Sequence, residues 1–116
     1  MPAPIKPLIP HSLLEQIDVR VGTIANVEEV PKSRKLVRLR VDFGDHTRVI
    51  LAGLKQERPD LSVLVGKQAL FVVNLEPKPL AGEMSEGMLF NLGYADGVTP
   101  VLAVPQAPVP NGTRAG

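Results

Sequence analysis

Apolar and polar residues alternate along most of this chain with the period of two that marks β-strands. From Asp18 to Glu28 the apolar positions are Val19, Val21, Ile24 and Val27, and the phase breaks at Gly22-Thr23. A glycine that interrupts a strand predicts a bulge or a sharp coil. Lys35 to Phe43 alternates most cleanly: Val37, Leu39, Val41 and Phe43 face one way, Arg38, Arg40 and Asp42 the other. Gly44-Asp45 reads as a hairpin turn. Thr47 to Ala52 then returns as the partner strand, with Arg48 expected on the outward face beside the two arginines. Gln68 to Val73 is almost wholly apolar, which predicts a central buried strand. Met88 to Leu92 and Val98 to Val104 follow as strands, the last confined to an edge by Pro100.

Helical signals are few. Ser12-Leu-Leu-Glu15 has the form of a capping box and predicts a helical turn ending near Ile17. Pro59 suits the first turn of a short helix over Asp60 to Leu64. Five short strands, with a helix between the third and fourth, give an all-β chain in the order of an OB-fold barrel with a C-terminal β extension. Residues 1–11 form a proline-rich arm, 12–104 the barrel with its extension, and 105–116 a Pro/Gly-rich tail. Asn74 to Met88 is longer than a strand connection requires, and Pro77 and Pro79 argue against ladder pairing there. Such loops carry function. Ile5, Leu8 and Ile9 of the arm and the strand at residues 98–104 are left over from the barrel. A second copy of the chain is the simplest cover for them, so a homodimer through the arm and residues 98–112 is expected.

Charge adds a candidate surface. The net charge of the 116-residue chain is +1. Between Lys32 and Arg48, however, six basic residues face only Asp42 and Asp45, a net of +4 in that window. Arginines crowded on one strand face call for an anion, and phosphate is the natural one. Phe43, Phe71, Phe90 and Tyr94 are the only aromatic residues, and none falls on the arginine face. A single strand gripped by stacking is therefore not expected, and a folded nucleic acid read by shape and phosphate position is. His11 and His46 lack ligand-spaced partners, cysteine is absent, and Ser85 has no base near it in sequence. Neither a catalytic site, nor a metal, nor a cofactor is expected. No apolar run reaches the ~18 residues a membrane span needs. With no signal peptide in view, a cytoplasmic protein is expected.

Asp18-Val-Arg-Val-Gly-Thr-Ile, Ser33-Arg-Lys-Leu, Val41-Asp-Phe-Gly, Val65-Gly-Lys, Val73-Asn-Leu-Glu-Pro-Lys and Met84-Ser-Glu-Gly-Met occur in this order. Together, over about Ile17 to Gly112, they resemble the tRNA-binding domain family. That family includes the C-terminal appendage of methionyl-tRNA synthetases, stand-alone structure-specific tRNA-binding proteins and CsaA-type chaperones. The resemblance implies a homodimeric, non-catalytic module that recognises the folded corner of tRNA through its backbone. The alternatives it leaves open are an export chaperone that binds unfolded peptides and an accessory subunit of an aminoacyl-tRNA synthetase. The basic Lys32-Ser-Arg-Lys-Leu loop is similar to the tRNA-binding members. By resemblance the contact residues are Lys35, Asn74, Lys78, Ser85 and Met88; strand-face geometry adds Arg38, Arg40 and Arg48. Leu51-Ala-Gly-Leu stands where the family often has Val-Ser-Gly-Ile, and Gln56, Glu57 and Arg58 replace the usual aromatics.

Overall fold

The computed structural model describes residues 2–54 and 60–116. In chain order its strands are β1 (Val19–Glu29), β2 (Val37–Asp42), β3 (Thr47–Ala52), β4 (Gln68–Val72), β5 (Lys78–Leu80), β6 (Glu83–Ser85), β7 (Met88–Leu89), β8 (Asn91–Leu92), β9 (Val101–Leu102) and β10 (Arg114–Ala115).

The long strand β1 organises the barrel. Its first half pairs with β4, from Val19 opposite Val72 to Thr23 opposite Gln68. Its second half pairs with β2, from Thr23 opposite Asp42 to Glu29 opposite Val37. One strand serves two neighbours in this way only by coiling strongly. The coil comes with a register shift between Ile24 and Asn26. The bulge thus falls at Ala25 and not at Gly22-Thr23. Gly22 serves close approach instead: a Cβ there would stand 2.6 Å from Val41 Cγ1 and 2.8 Å from a ring carbon of Phe43.

The strand path is β3-β2-β1-β4-β7, all antiparallel, which is the five-stranded OB-type barrel expected from the element order. Glu86 closes the gap between β7 and β3. Its backbone N–H donates to Val49 O at 2.9 Å, and its Oε1 accepts from Val49 N at 2.9 Å. Ile24, Val37, Leu39, Val41, Ile50, Leu54 and Leu64 fill the interior around Phe43 and Phe71, whose rings meet edge to face at 5.5 Å. Two of the four aromatic residues are thus spent inside.

Several elements differ from expectation. The helical turn is α1 (His11–Leu14), but its N-cap is Pro10, without a side-chain cap. Ser12 lies inside the turn, so the capping box does not form. The short helix is a 3-10 turn, Leu61–Leu64, with Asp60 Oδ1 accepting from Ser62 N at 2.9 Å. Pro59, Gln56, Glu57 and Arg58 lie outside the described residues. The strand expected over Met88 to Leu92 divides at Phe90, whose N–H bonds Leu70 O. Only Val101–Leu102 of the Val98 to Val104 stretch pairs, against β8, and pairing starts just after Pro100.

The tail is the larger surprise. Gly112 N donates to Val21 O at 2.7 Å, Val21 N donates to Thr113 O at 2.9 Å, and β10 adds to the edge of β1. Asn111 Oδ1 accepts from Thr23 Oγ1 at 2.8 Å and from Gln68 Nε2 at 3.0 Å. The tail is thereby part of the barrel sheet. Its prolines and glycines shape the path to β10 and do not make it a loose end.

Candidate nucleic-acid interface

The loop from Asn74 to Met88 folds into a hairpin. β5 and β6 pair Lys78 with Ser85, Pro79 with Met84, and Leu80 with Glu83. Ala81 and Gly82 form the two-residue turn, both at positive φ (50° and 81°), the conformation that tight hairpins of this length need. Pro79 is tolerated because the ladder is short and at an edge.

The hairpin is anchored to β3 by Ser85, which is only 4% exposed. Its Oγ accepts from Leu51 N at 3.0 Å and donates to Gly87 O at 3.0 Å. The donor and one acceptor position of Ser85 are thus committed within the protein, although Ser85 lines the same cleft as Lys78 and Met88. Asn74 is committed too: Oδ1 accepts from Asp18 N at 2.8 Å and Nδ2 donates to Gln16 O at 2.6 Å. These bonds tie the start of the loop to the start of β1.

The three arginines part company. Arg38 clamps the hairpin, its Nε and Nη2 donating to the two carboxylate oxygens of Glu83 at 2.7 and 2.6 Å. Glu28, opposite it on β1, adds a second ion pair at 3.5 Å. The fork geometry suits a guanidinium and a carboxylate. The hydrogen bond from Arg38, offset in part by desolvation, lowers the Glu83 pKa below its ordinary 4.5. Arg40 is exposed and makes no ion pair among the described residues. Both line a groove beside the hairpin, together with Glu28, Glu83 and Glu86. Two cations against three carboxylates leave that groove at −1, so Arg38 and Arg40 do not form a basic patch there.

Arg48 is not on that face. It stands opposite Val41 across the β2–β3 ladder, and directly opposed residues share a face, here the inward one. Near the start of β3 its guanidinium bonds three separate parts of the chain. Nη1 donates to Val73 O and, at 3.1 Å, to Glu86 O, while Nε donates to His46 Nε2 at 3.0 Å. The expectation failed because the strand phase was carried across the hairpin turn without its register. Arg48 links β3, β4 and the hairpin.

Lys35 and Lys78 each share a cleft with Met88. Met88 is partly exposed and borders two adjoining clefts, one lined by Lys35 and the other by Lys78. Neither lysine makes an ion pair among the described residues, and Glu76 is the one carboxylate lining either cleft. Ser33 sets the loop that presents Lys35, its Oγ accepting from Lys35 N at 3.1 Å and Leu36 N at 3.0 Å. Tyr94 and Asn91 line the Lys35 cleft as well. They were not among the expected contact residues. The signal that could have found Tyr94 is the pair of glycines, Gly93 and Gly97, that bracket it.

Residues 19–114 match the family described as "Putative tRNA binding domain". The chain belongs to the tRNA-binding domain family. Among curated proteins, this tRNA-binding domain is 43% identical over 94 residues to a methionine–tRNA ligase of Methanocaldococcus jannaschii, covering 80% of the chain and 14% of that ligase. It thus spans about one-seventh of the length of such relatives, which are enzymes that carry a domain like it. Among solved structures, the methionyl-tRNA synthetase related protein of Pyrococcus horikoshii superposes with a TM-score of 0.86 at 32% identity, covering 96% of this chain and all of that one. The chaperone CsaA of Bacillus anthracis gives 0.82 at 31% identity, covering 95% of this chain and all of that one. The tRNA-binding domain has no helix among its described residues long and apolar enough to cross a membrane.

Proposed function

We propose that this domain is a non-catalytic module that binds folded tRNA in the cytoplasm. The contact surface runs over Met88 from Lys35 to Lys78. The observation that carries the reading is an exposed methionine shared by two clefts, each lined by a lysine with no ion pair among the described residues, in a chain of the tRNA-binding family. Lysines hold phosphates as point charges, and Met88 supplies an adaptable apolar contact to sugar or base. Arg40 adds a peripheral phosphate contact. Arg38, Arg48, Asn74 and Ser85 hold the shape of the surface, since their polar groups are engaged within the protein. Recognition through phosphate positions suits a ligand read by structure more than by sequence. Titration of total tRNA in a gel shift at two salt concentrations tests this. Binding that weakens steeply with salt is expected; no binding at low salt would sink it.

The module acts as a homodimer. Ile5 and Leu8 are 95% and 98% exposed, and Val98, Val101 and Val104 are also open, an apolar inventory that a second copy would cover. Sedimentation should show a dimer that Val101→Asp, or deletion of the arm, converts to monomer. A monomeric wild type would contradict this. A synthetase partner is consistent with the same surface.

A second reading, a CsaA-type chaperone for unfolded peptides, is favoured by one feature. The groove beside the hairpin combines paired charges with Val49, Pro77 and Met84, a lining better suited to a peptide than to phosphate. An unfolded peptide that displaces tRNA with no dependence on salt would support it over the first.

A further inference from the structure

The cleft beside Lys35 holds more than a phosphate contact needs. It has a volume of about 560 Å³ and is lined by Lys35, Met88, Phe90, Asn91 and Tyr94, among others. Tyr94 is 59% exposed, an unusual place for the only tyrosine of a chain so poor in aromatics. Its position is built. A 3-10 turn over Tyr94–Asp96 is bracketed by Gly93 and Gly97, both left-handed at φ 102° and 70°. Asp96 N and Val98 N both donate to Gly93 O, at 3.1 and 2.9 Å, which locks the turn. Asn91 lies on the neighbouring strand β8, and its Oδ1 is buried without a hydrogen-bond partner among the described residues. A buried acceptor left empty is costly, and in a native structure it points to a missing donor. The terminal torsion of asparagine is soft, so a small turn of the carboxamide presents its oxygen or its amide to the cleft.

We infer that this cleft receives one unstacked nucleobase, with Tyr94 as the stacking platform, Asn91 as the edge reader and Lys35 on the adjoining phosphate. The inference rests on the tRNA-binding reading and deepens it. A π face, a carboxamide and a cation are the parts by which proteins hold single splayed bases in folded RNA. The carboxamide offers a donor and an acceptor side by side, which matches a base edge such as that of adenine. An apolar peptide side chain would fill the cleft without answering Asn91 or using Lys35.

The test uses the full chain, isotope-labelled, and titrates it with adenosine monophosphate while following amide resonances. Shifts in the Asn91 side-chain pair and in Leu36, Phe90, Tyr94 and Ala95 are expected. Ribose phosphate, which has the charge without the base, should leave the Asn91 pair unmoved. Tyr94→Ala should weaken nucleotide binding by about tenfold, the scale of one lost base–aromatic stack. Tyr94→Phe should restore it to within about twofold of wild type, because the π face returns. Equal shifts with ribose phosphate would overturn the inference. So would shifts with acetylphenylalanine amide and none with the nucleotide. Tyr94→Ala and Asn91→Leu should also weaken tRNA retention with the salt dependence unchanged. Wild-type tRNA binding that neither substitution alters removes the base pocket and leaves the module reading standing. A wild type that binds no tRNA removes the module reading, and the nucleotide titration still decides the cleft.

Discussion

In one groove beside the β5–β6 hairpin, Arg38 and Arg40 meet Glu28, Glu83 and Glu86; in two clefts that share Met88, Lys35 and Lys78 have Glu76 as the carboxylate in the lining. The groove and the pair of clefts carry the same number of cations. They differ in what those cations already hold. Arg38 is spent on Glu83 and Glu28, so a phosphate arriving there would have to displace carboxylates from a bidentate fork. Among the described residues the lysines have no such partner, and their charge is available. The lesson is that a basic window in sequence becomes a binding surface only if folding brings no acids to it. Glu83 lies 45 residues from Arg38 in the chain, and the hairpin delivers it.

Reversing the free pair should have the largest effect. Lys35→Glu with Lys78→Glu is expected to lower tRNA affinity at least about a hundredfold, since two phosphate contacts become repulsions. A thermal melt followed by circular dichroism should stay near wild type, because neither lysine makes an ion pair among the described residues. Ser85→Ala sharpens the comparison from the stability side. It leaves Leu51 N–H buried without an acceptor and should cost about 1–3 kcal/mol in urea unfolding. If Ser85 instead contacted ligand, its loss would weaken tRNA binding with stability unchanged.

The arginine side should answer to acid. Glu83 has its carboxyl pKa held below 4.5 by the hydrogen bond from Arg38. A depressed folded pKa means stability that is complete above the unfolded value and lost as pH falls through the folded one. Thermal midpoints of wild type and Glu83→Gln should therefore differ at pH 7 and converge as pH falls below about 4.5. A constant gap across that range would deny the Arg38–Glu83 clamp. The smallest expected effect on binding belongs to Arg38→Gln. tRNA affinity should change by less than about twofold, while the thermal midpoint falls with the loss of the clamp.

Much of the barrel was legible because burial imposes alternation. Val37, Leu39, Val41 and Phe43 could be assigned to one face since all four had to enter the same core. The coiled first strand was legible in outline from Gly22, although the bulge itself lies at Ala25. What escaped depends on contacts distant in sequence. Residues 105–116 read only as a Pro/Gly-rich tail, because a composition of proline and glycine does not reveal that Gly112 and Thr113 bond Val21. The hairpin hid behind Pro77 and Pro79 for a similar reason: a three-residue edge ladder tolerates what a central strand would not. At the candidate site, Lys35, Lys78 and Met88 were named from family motifs, and the fold places Met88 in the lining of both the Lys35 cleft and the Lys78 cleft. Arg48 was misplaced by a register that only the fold supplies, and no sequence motif places Tyr94 in the same cleft as Lys35.

The measurement that bears most directly on the account is the salt dependence of tRNA binding in two neutralised variants beside the wild type. Lys35→Gln with Lys78→Gln should lower the slope of log affinity against log salt by roughly 1.5, near the value for two lost phosphate contacts. Arg38→Gln with Arg40→Gln should lower it by at most roughly 0.9, the share of Arg40 alone. A larger drop for the arginine pair than for the lysine pair would contradict the account and return the binding surface to the β2–β3 face.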